Sequence, residues 1–383
     1  MNMHIGIAEG DAEALGAKWT VAEIAQQPET LRQTQAVLTG QADALDGFLA
    51  PLLAQPSLRI VLAGAGTSAY IGESLAPLLS TATGRCIEAI ATTDIVSAPE
   101  CLTPGQPTLL VSFGRSGNSP ESVAAIEFAD QLLDTVSHLV ITCNAEGALA
   151  RYAARSQHAH AIILPDATHD RSFAMTSSFT AMLYAALAAL GSSHLAPVEA
   201  VADAVAGVRD GYAALAEELA THGFERAVYL GSGGLAGIAR EGALKLLEMT
   251  DGVTAARHDT PLGFRHGPKA FLNASTLVVL FVSNNPHTRR YDLDLLWELA
   301  REQTAARVIA VTTQPIDGFA AKDQVLVESL AGANDLALLF PYIVLAQMIG
   351  VRQALALGKS PDDPNPSGII NRVVQGVRIH ALA

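Results

Sequence analysis

The sequence predicts an α/β fold of two tandem units, each a parallel sheet flanked by helices. Short apolar runs alternate with helical stretches, and the runs predicted as strands are Arg59–Ala63, Thr108–Phe113, His138–Cys143, Arg226–Leu230, Thr276–Val282 and Arg307–Thr312. Equivalent positions in the two halves lie 167, 168 and 170 residues apart: Gly64 and Gly231, Thr108 and Thr276, Thr142 and Thr312. These near-constant offsets indicate two copies of one unit. Continuous apolar strands are typical of parallel sheets that are covered on both faces.

The predicted organisation has four parts. An N-terminal helical segment covers 1–44, because a helical pattern runs from Ala22 to about Leu53 before the first strand. The first unit covers 45–205 and the second 212–370, with the border near Pro197–Tyr212. A proline-rich loop, Lys359–Ser367, leads to a C-terminal tail over 371–383.

Composition narrows the class of protein. A formal charge of −14 disfavours nucleic-acid and anionic-membrane partners, which require clustered lysine and arginine. We expect the three cysteines (Cys86, Cys101 and Cys143) to be reduced in the core, which suits the cytoplasm. Residues 1–11 have neither a basic start nor an apolar run, so we expect no secretory signal. The uncharged stretch Ser172–Val198 is predicted to be a buried helix rather than a membrane span.

The first strand is followed by the turn Gly64–Ser68, which opens a helix. Gly66, Thr67 and Ser68 could bring backbone amides and two hydroxyls to a ligand. Because Ala69 stands where a dinucleotide fingerprint requires its third glycine, the turn is not that motif. A structural turn and a binding loop both remain open.

The turn after the second strand, Ser112–Glu121, combines glycines, hydroxyls and a cation. Ser119 followed by Pro120 predicts a helix N-cap with proline at the first helical position. A helix N-terminus with free N–H groups and hydroxyls can bind an anion. We therefore predict a phosphate site, with a plain capped helix as the alternative; its candidate residues are Ser112, Gly114, Arg115, Ser116 and Ser119.

In the second half, Gly231–Gly234 leads into a helix that carries three charged residues on one face. Spacings of four, three and seven residues align Glu241, Lys245 and Glu248. A surface ion pair is one interpretation; buried carboxylates suited to proton transfer are the other, because the flanking positions are apolar.

His266 lies between the cations Arg265 and Lys269, a setting that disfavours a protonated imidazole. It is a candidate for catalysis or for a structural role. The other histidines have no metal-ligand spacing, so we expect no metal and no cofactor.

Together these residues resemble the sugar isomerase (SIS) family in its double-domain form, from about Trp19 onward. Glu23–Pro28, Gly64–Ser68, Gly114–Ser119, Glu241–Glu248 and Arg265–Pro268 are similar to segments of the isomerase half of glucosamine-6-phosphate synthase. Gly64–Glu73, Asp170–Thr180 and Asn371–Val377 resemble the AgaS branch, which was named tagatose-6-phosphate ketose/aldose isomerase and is understood as galactosamine-6-phosphate deaminase.

The resemblance implies two tandem SIS domains, each a flavodoxin-like three-layer sandwich, in a homodimer whose active site lies at the subunit interface. It implies that Ser68, Arg115, Ser116 and Ser119 hold the phosphate, that Glu248 moves a proton between C2 and C1, and that His266 opens the sugar ring. Met175-Thr176-Ser177 stands where the synthase has Ser-Thr-Lys, and Arg372 and Gln375 stand in the region of its C-terminal lysine. The remaining candidate sugar contacts are thus Ala174, Thr176, Arg265, Arg372 and Gln375.

Three alternatives stay open at this point. The enzyme could carry out plain aldose–ketose isomerisation, or deaminate glucosamine 6-phosphate instead of its galacto epimer. A non-catalytic sugar-phosphate sensor would need neither Glu248 nor His266, and the acidic N-terminal segment disfavours a DNA-binding regulator.

Overall fold

The computed structural model describes residues 3–374 and 376–382, which form two compact units. Unit N contains Glu29–Asp170, Ser177–Leu195 and the described residues from Gly368 onward. Unit C contains the described residues up to Pro28, Arg171–Thr176 and Ala196–Ser367.

Each unit is built on one five-stranded parallel sheet. In unit N the sheet order is β4-β3-β5-β6-β7, with strands β3 (Arg59–Ala63), β4 (Ile87–Ala89), β5 (Thr108–Gly114), β6 (Val136–Thr142) and β7 (Ala159–Ile163). In unit C the order is β9-β8-β10-β11-β12, with strands β8 (Arg226–Gly231), β9 (Ala255–Asp259), β10 (Thr276–Phe281), β11 (Arg307–Thr312) and β12 (Gln324–Leu326). Numbered along the chain, both orders are 2-1-3-4-5, the flavodoxin-like arrangement. Unit C also has an antiparallel pair, β1 (Met3–His4) and β2 (Ile7–Ala8).

Helices flank both sheets. Those of unit N are α3 (Gln27–Gly40, apart from its first two residues), α4 (Ala42–Leu53), α5 (Thr67–Thr83), α6 (Thr92–Ser97), α7 (Pro120–Leu132), α8 (Ala148–Ala153) and α9 (Ser177–Gly191). Those of unit C are α1 (Glu9–Ala14), α2 (Lys18–Ala25), α10 (Val198–Gly211), α11 (Ala213–His222), α12 (Gly234–Met249), α13 (Pro261–Phe264), α14 (Pro286–Glu302) and α15 (Asp335–Ala356).

The six predicted strands are confirmed within two residues at each end. The strands that the sequence did not predict are the edge pairs β4 and β7, and β9 and β12, together with the β1–β2 pair. Edge strands are covered less completely than central ones, so they lack the continuous apolar run on which the prediction depended; in β9 no residue is buried.

The N-terminal residues belong to unit C because polar contacts hold them there. Asp362 accepts hydrogen bonds from the backbone N–H of Trp19 and Thr20, at 3.0 and 2.8 Å, and from the Thr20 hydroxyl at 2.7 Å. The buried carboxylate of Glu23 accepts hydrogen bonds from the N–H groups of Arg171 and Ser172. The segments 3–28 and 171–176 therefore fall in the unit of the second sheet.

Two apolar helices form part of the interior. Nearly all of α9 is buried, as the prediction for the uncharged stretch requires. Only α15, among the described helices, has the length and hydropathy of a membrane span, and 89% of its most apolar window is buried. Burial identifies α15 as a core helix of unit C.

The cysteine prediction is wrong for two of three residues. Cys143 is buried, which raises the pKa of its thiol to about 12, whereas Cys86 is exposed and Cys101 is partly exposed. Cys86 lies just before the edge strand β4, where only one side of the chain is covered. All three are free thiols.

Candidate functional site

The two glycine-rich turns of unit N lie side by side. Ala63 of β3 pairs with Ser112 of β5, so the turns that follow these strands emerge at the same edge of the sheet. This is the switch point of the sheet, where the strand order reverses, and ligands of open parallel sheets bind there.

The first turn requires glycine at two positions. Gly66 has φ 54° and ψ −127°, and it immediately precedes α5, in which Thr67 and Ser68 are buried in the first turn. A Cβ on Gly64 would lie 2.5 Å from the backbone carbon of Ser68. The tight approach of strand and helix brings Thr67 and Ser68 to the sheet edge.

The second turn, Ser112–Ser119, is called the phosphate loop below. The Ser119 Oγ accepts a hydrogen bond from the N–H of Ser122, which confirms the predicted N-cap of the 13-residue α7. The same hydroxyl lies 2.6 Å from Ser122 Oγ. Gly117 has φ 62°, and the Gly114 carbonyl accepts a 2.6 Å hydrogen bond from Thr142. The loop is thus fixed as a tight approach to a helix N-terminus.

Residues after β6 that no sequence motif indicated brace the phosphate loop. The Asn144 side chain donates a 2.8 Å hydrogen bond to the Ser116 carbonyl, and Asn118 accepts one of 2.9 Å from the N–H of Ala148. Thr142 ends β6 and Asn144 follows it, so the position of β6 beside the other two central strands is the signal that could have indicated them.

Arg115 is buried and connected to the C-terminal tail. Its guanidinium donates a 3.0 Å hydrogen bond to the Arg372 carbonyl, and the Arg372 guanidinium donates to the Asp170 carbonyl. The Asp170 carboxylate in turn accepts a 2.9 Å hydrogen bond from the N–H of Ser178 in α9. Arg372 therefore supports Arg115. Gln375, the other predicted contact in the tail, lies outside the described residues.

Ser112 is 1% exposed, and its hydroxyl has no hydrogen-bond partner within residues 3–374 and 376–382. An unsatisfied buried hydroxyl costs about 1–3 kcal/mol. The Ser112 hydroxyl therefore lies at the switch point and is not used in hydrogen bonding by the described residues.

In unit C, α12 carries the predicted line of charges. Lys245 Nζ lies 2.6 Å from Glu248 Oε2 and 3.3 Å from Glu241 Oε1. Glu241 and Lys245 have fully buried side chains, whereas the Glu248 side chain is 22% exposed. The surface ion-pair interpretation is therefore excluded, and Glu248 is the carboxylate of the three residues that solvent reaches.

The ammonium of Lys245 is charged in this setting. Burial by itself would lower its pKa, but the charges of Glu241 and Glu248 and the hydrogen bonds to both raise the pKa above its ordinary value. A fixed ammonium holds the Glu248 carboxylate in one orientation.

The segment Arg265–Gly267, called the histidine loop below, is exposed at His266 and Gly267. Within the described chain the His266 imidazole has no hydrogen-bond partner, and only its backbone N–H is bound, to the Gly263 carbonyl at 2.9 Å. Arg265 and Lys269 form ion pairs with Glu298 of α14. The positive charges expected to act on His266 are thus neutralised by Glu298, a residue that lies outside the sequence motif around His266.

The predicted contacts Ala174 and Thr176 are fully buried in the segment 171–176 of unit C. Ser172 donates a 2.9 Å hydrogen bond to the Ala174 carbonyl. Of the candidate site residues, those of the two turns and Arg372 thus lie in unit N. Those of α12, the histidine loop and the segment 171–176 lie in unit C.

A large cavity lies elsewhere. It has a volume of about 850 Å³ and is lined by Phe224, Leu277, Trp297, Arg307 and Phe319, among others, at the amino ends of β10 and β11. Ligands of such sheets bind at the opposite, carboxyl ends, so this cavity is not the candidate site. No cluster of three or more histidine, cysteine or acidic residues suited to a metal occurs within the described ranges.

Two flavodoxin-like units, one with a serine-rich turn at a helix N-terminus and one with a carboxylate–lysine cluster, define a double-domain protein of the phosphosugar-binding class. The chain belongs to the SIS domain family, which matches residues 52–191 and 223–357.

Relatives of the same length support this membership. The chain is 46% identical to the D-galactosamine-6-phosphate deaminase AgaS of Escherichia coli, over 96% of this chain and 97% of that one. It is 44% identical to the D-galactosamine-6-phosphate deaminase AgaS of Shewanella sp. strain ANA-3, over 95% and 92%. The crystal structure of tagatose-6-phosphate ketose/aldose isomerase from Escherichia coli matches with a TM-score of 0.88 and 44% identity, over 95% of this chain and 96% of that one.

Proposed function

We propose that this protein is a deaminase that converts galactosamine 6-phosphate to tagatose 6-phosphate and ammonia. The observation that carries the proposal is the Glu241–Lys245–Glu248 cluster, which presents one solvent-accessible carboxylate held 2.6 Å from a buried ammonium. The names of relatives that align over nearly the whole chain identify the sugar.

In the proposed reaction the phosphate loop binds the phosphate through Ser116, Ser119 and Arg115, together with Ser68. His266 transfers a proton to open the ring. Glu248 then takes the C2 proton of the open amino aldose, which gives an enolamine. Return of the proton at C1 leaves an imine at C2, and water hydrolyses the imine to the ketose and ammonia. General acid–base catalysis of this kind contributes roughly 10²–10⁴-fold.

We assign the protein to the cytoplasm as a homodimer with the active site at the subunit interface. The SIS domain resemblance supports the dimer, and the free thiols support the compartment. The solved relative titled an isomerase supports a second candidate, plain aldose–ketose isomerisation.

The test measures ammonia release from galactosamine 6-phosphate, glucosamine 6-phosphate and the N-acetylated sugar. Release that is fastest from galactosamine 6-phosphate supports the proposal, and isomerisation of tagatose 6-phosphate without any ammonia release supports the second candidate.

The matched variants are Glu248→Gln and Glu241→Gln. We expect Glu248→Gln to bind inorganic phosphate like the parent protein and to lose about 10²–10⁴-fold in kcat. If Glu248→Gln is fully active and Glu241→Gln is folded but inactive, Glu241 rather than Glu248 moves the proton.

A further inference from the structure

Unit C repeats the backbone of the anion site of unit N. Gly233, which precedes α12, has φ 58° and ψ −129°, against φ 54° and ψ −127° for Gly66. Asn285 caps α14 at φ −64° and ψ 120°, against φ −63° and ψ 136° for Ser119, which caps α7. Both caps are followed by proline, and both pairs of turns lie at the switch point of a 2-1-3-4-5 sheet.

In the turns of unit C, the hydrogen-bond donors donate to carboxylates of the chain itself. Asp292 is fully buried; its Oδ1 accepts a 2.6 Å hydrogen bond from Ser232 Oγ, and its Oδ2 accepts one of 3.0 Å from the N–H of Ser283. Asp335 accepts one of 2.7 Å from the N–H of Asn284 and one of 2.5 Å from Ser283 Oγ.

These four bonds have the chemistry of phosphate recognition. Carboxylate and phosphate oxygens are both anionic acceptors for backbone N–H groups and hydroxyls at a helix N-terminus. Burial raises the pKa of Asp292 to about 6, and the neighbouring charge of Asp335 acts in the same direction, while Arg289 opposes it. At pH 8 the Asp292 carboxylate is therefore ionised and repels a phosphate dianion.

We propose that the switch point of unit C is an anion site closed by internal ligands, Asp292 and Asp335, so that each chain binds one phosphate group and binds it in unit N. The inference rests on the proposed function, because that function places phosphate on the phosphate loop. The ligand excluded from unit C is a phosphate monoester or inorganic phosphate.

The experiment counts bound inorganic phosphate per chain at pH 8 by equilibrium dialysis, at concentrations up to tens of millimolar. The protein as it exists is compared with Asp292→Ser, which removes the carboxylate and leaves room, and with Asp292→Asn, which keeps the volume filled. We expect one phosphate for the parent protein and for Asp292→Asn, and two for Asp292→Ser. The double variant Asp292→Ser/Asp335→Asn, in which both charges are gone, is expected to bind the second phosphate more tightly.

Two phosphates bound by the parent protein overturn the inference, whether or not any variant folds. It is equally overturned if Asp292→Ser and the double variant keep the parent circular dichroism spectrum and still bind one. Binding of no phosphate by the parent protein is a different result, because it contradicts the proposed function of the phosphate loop. An Asp292→Ser protein in which phosphate binding doubles supports the inference.

Discussion

Replacement of Lys245 by methionine tests whether the buried cluster on α12 is held by charge compensation. The ammonium lies 2.6 and 3.3 Å from two carboxylates, and at an effective dielectric constant of about 20 these pairs correspond to attractions of about 6 and 5 kcal/mol. Much of this offsets desolvation, so the net cost of removing one partner of a buried pair is about 3–5 kcal/mol. Methionine has a similar volume and removes this ammonium from the buried Glu241 carboxylate and the partly exposed Glu248 carboxylate.

We expect Lys245→Met to lower the melting temperature of unit C by about 6–20 °C at pH 8, taking about 2–4 °C per kcal/mol for a unit of this size. The deficit should shrink at pH 5, because an uncompensated carboxylate can then take up a proton at smaller cost. Calorimetry at both pH values measures it.

Lys269→Met is the matched control. Lys269 also pairs with two carboxylates, Glu298 and Glu302, but its side chain is 23% exposed, so we expect a loss of at most about 1 kcal/mol. The reasoning is refuted if Lys245→Met melts within about 2 °C of the parent protein, or if both methionine variants are destabilised equally.

Three further changes test the structure. Ser119→Ala removes an N-cap and should cost about 1 kcal/mol in urea unfolding, whereas Ser119→Asn should keep the cap; equal stability of all three proteins would contradict the cap. The pKa of Asp292 in the folded chain is about 6, against an ordinary value of 3.8. Its contribution to the free energy of unfolding is therefore fully present below pH 3.8, and about 3 kcal/mol is lost as the pH rises through 6. In Asp292→Asn the urea midpoint should therefore fall less between pH 4 and pH 7 than in the parent protein. The same fall in both proteins would contradict the raised pKa of Asp292. Asp362→Ala removes the acceptor for three hydrogen bonds from Trp19 and Thr20, so limited proteolysis should cleave within residues 3–28 first; resistance equal to that of the parent protein would contradict that anchoring role.

The central strands and the Ser119 cap could be predicted because their signals are local. An apolar run such as Thr108–Gly114 and a Ser-Pro pair depend on neighbouring residues alone. The line of charges on α12 followed from helical spacing, and the apolar flanks of α12 indicated its burial.

What could not be predicted depends on residues distant in the sequence. Glu298 neutralises the cations beside His266 from a different helix, and Asp335 reaches the turn at Ser283 across 52 residues. The Arg372 guanidinium donates a hydrogen bond to the Asp170 carbonyl 202 residues away, a contact that no local pattern indicates. No periodicity or short motif records such pairings, because only the folded sheet brings these residues together.

The contact between Thr20 and Asp362 also fixes an order of events during synthesis. The two residues are 342 positions apart, so at about 5–20 residues per second the ribosome adds Asp362 about 17–70 s after Thr20. The residues of β3 to β7 are all complete before Asp362 is made, so most of unit N can fold while α2 still lacks its acceptor. For that interval Val21 and Ile24 of α2, which are buried in the folded chain, belong to a helix that Asp362 does not yet hold in place.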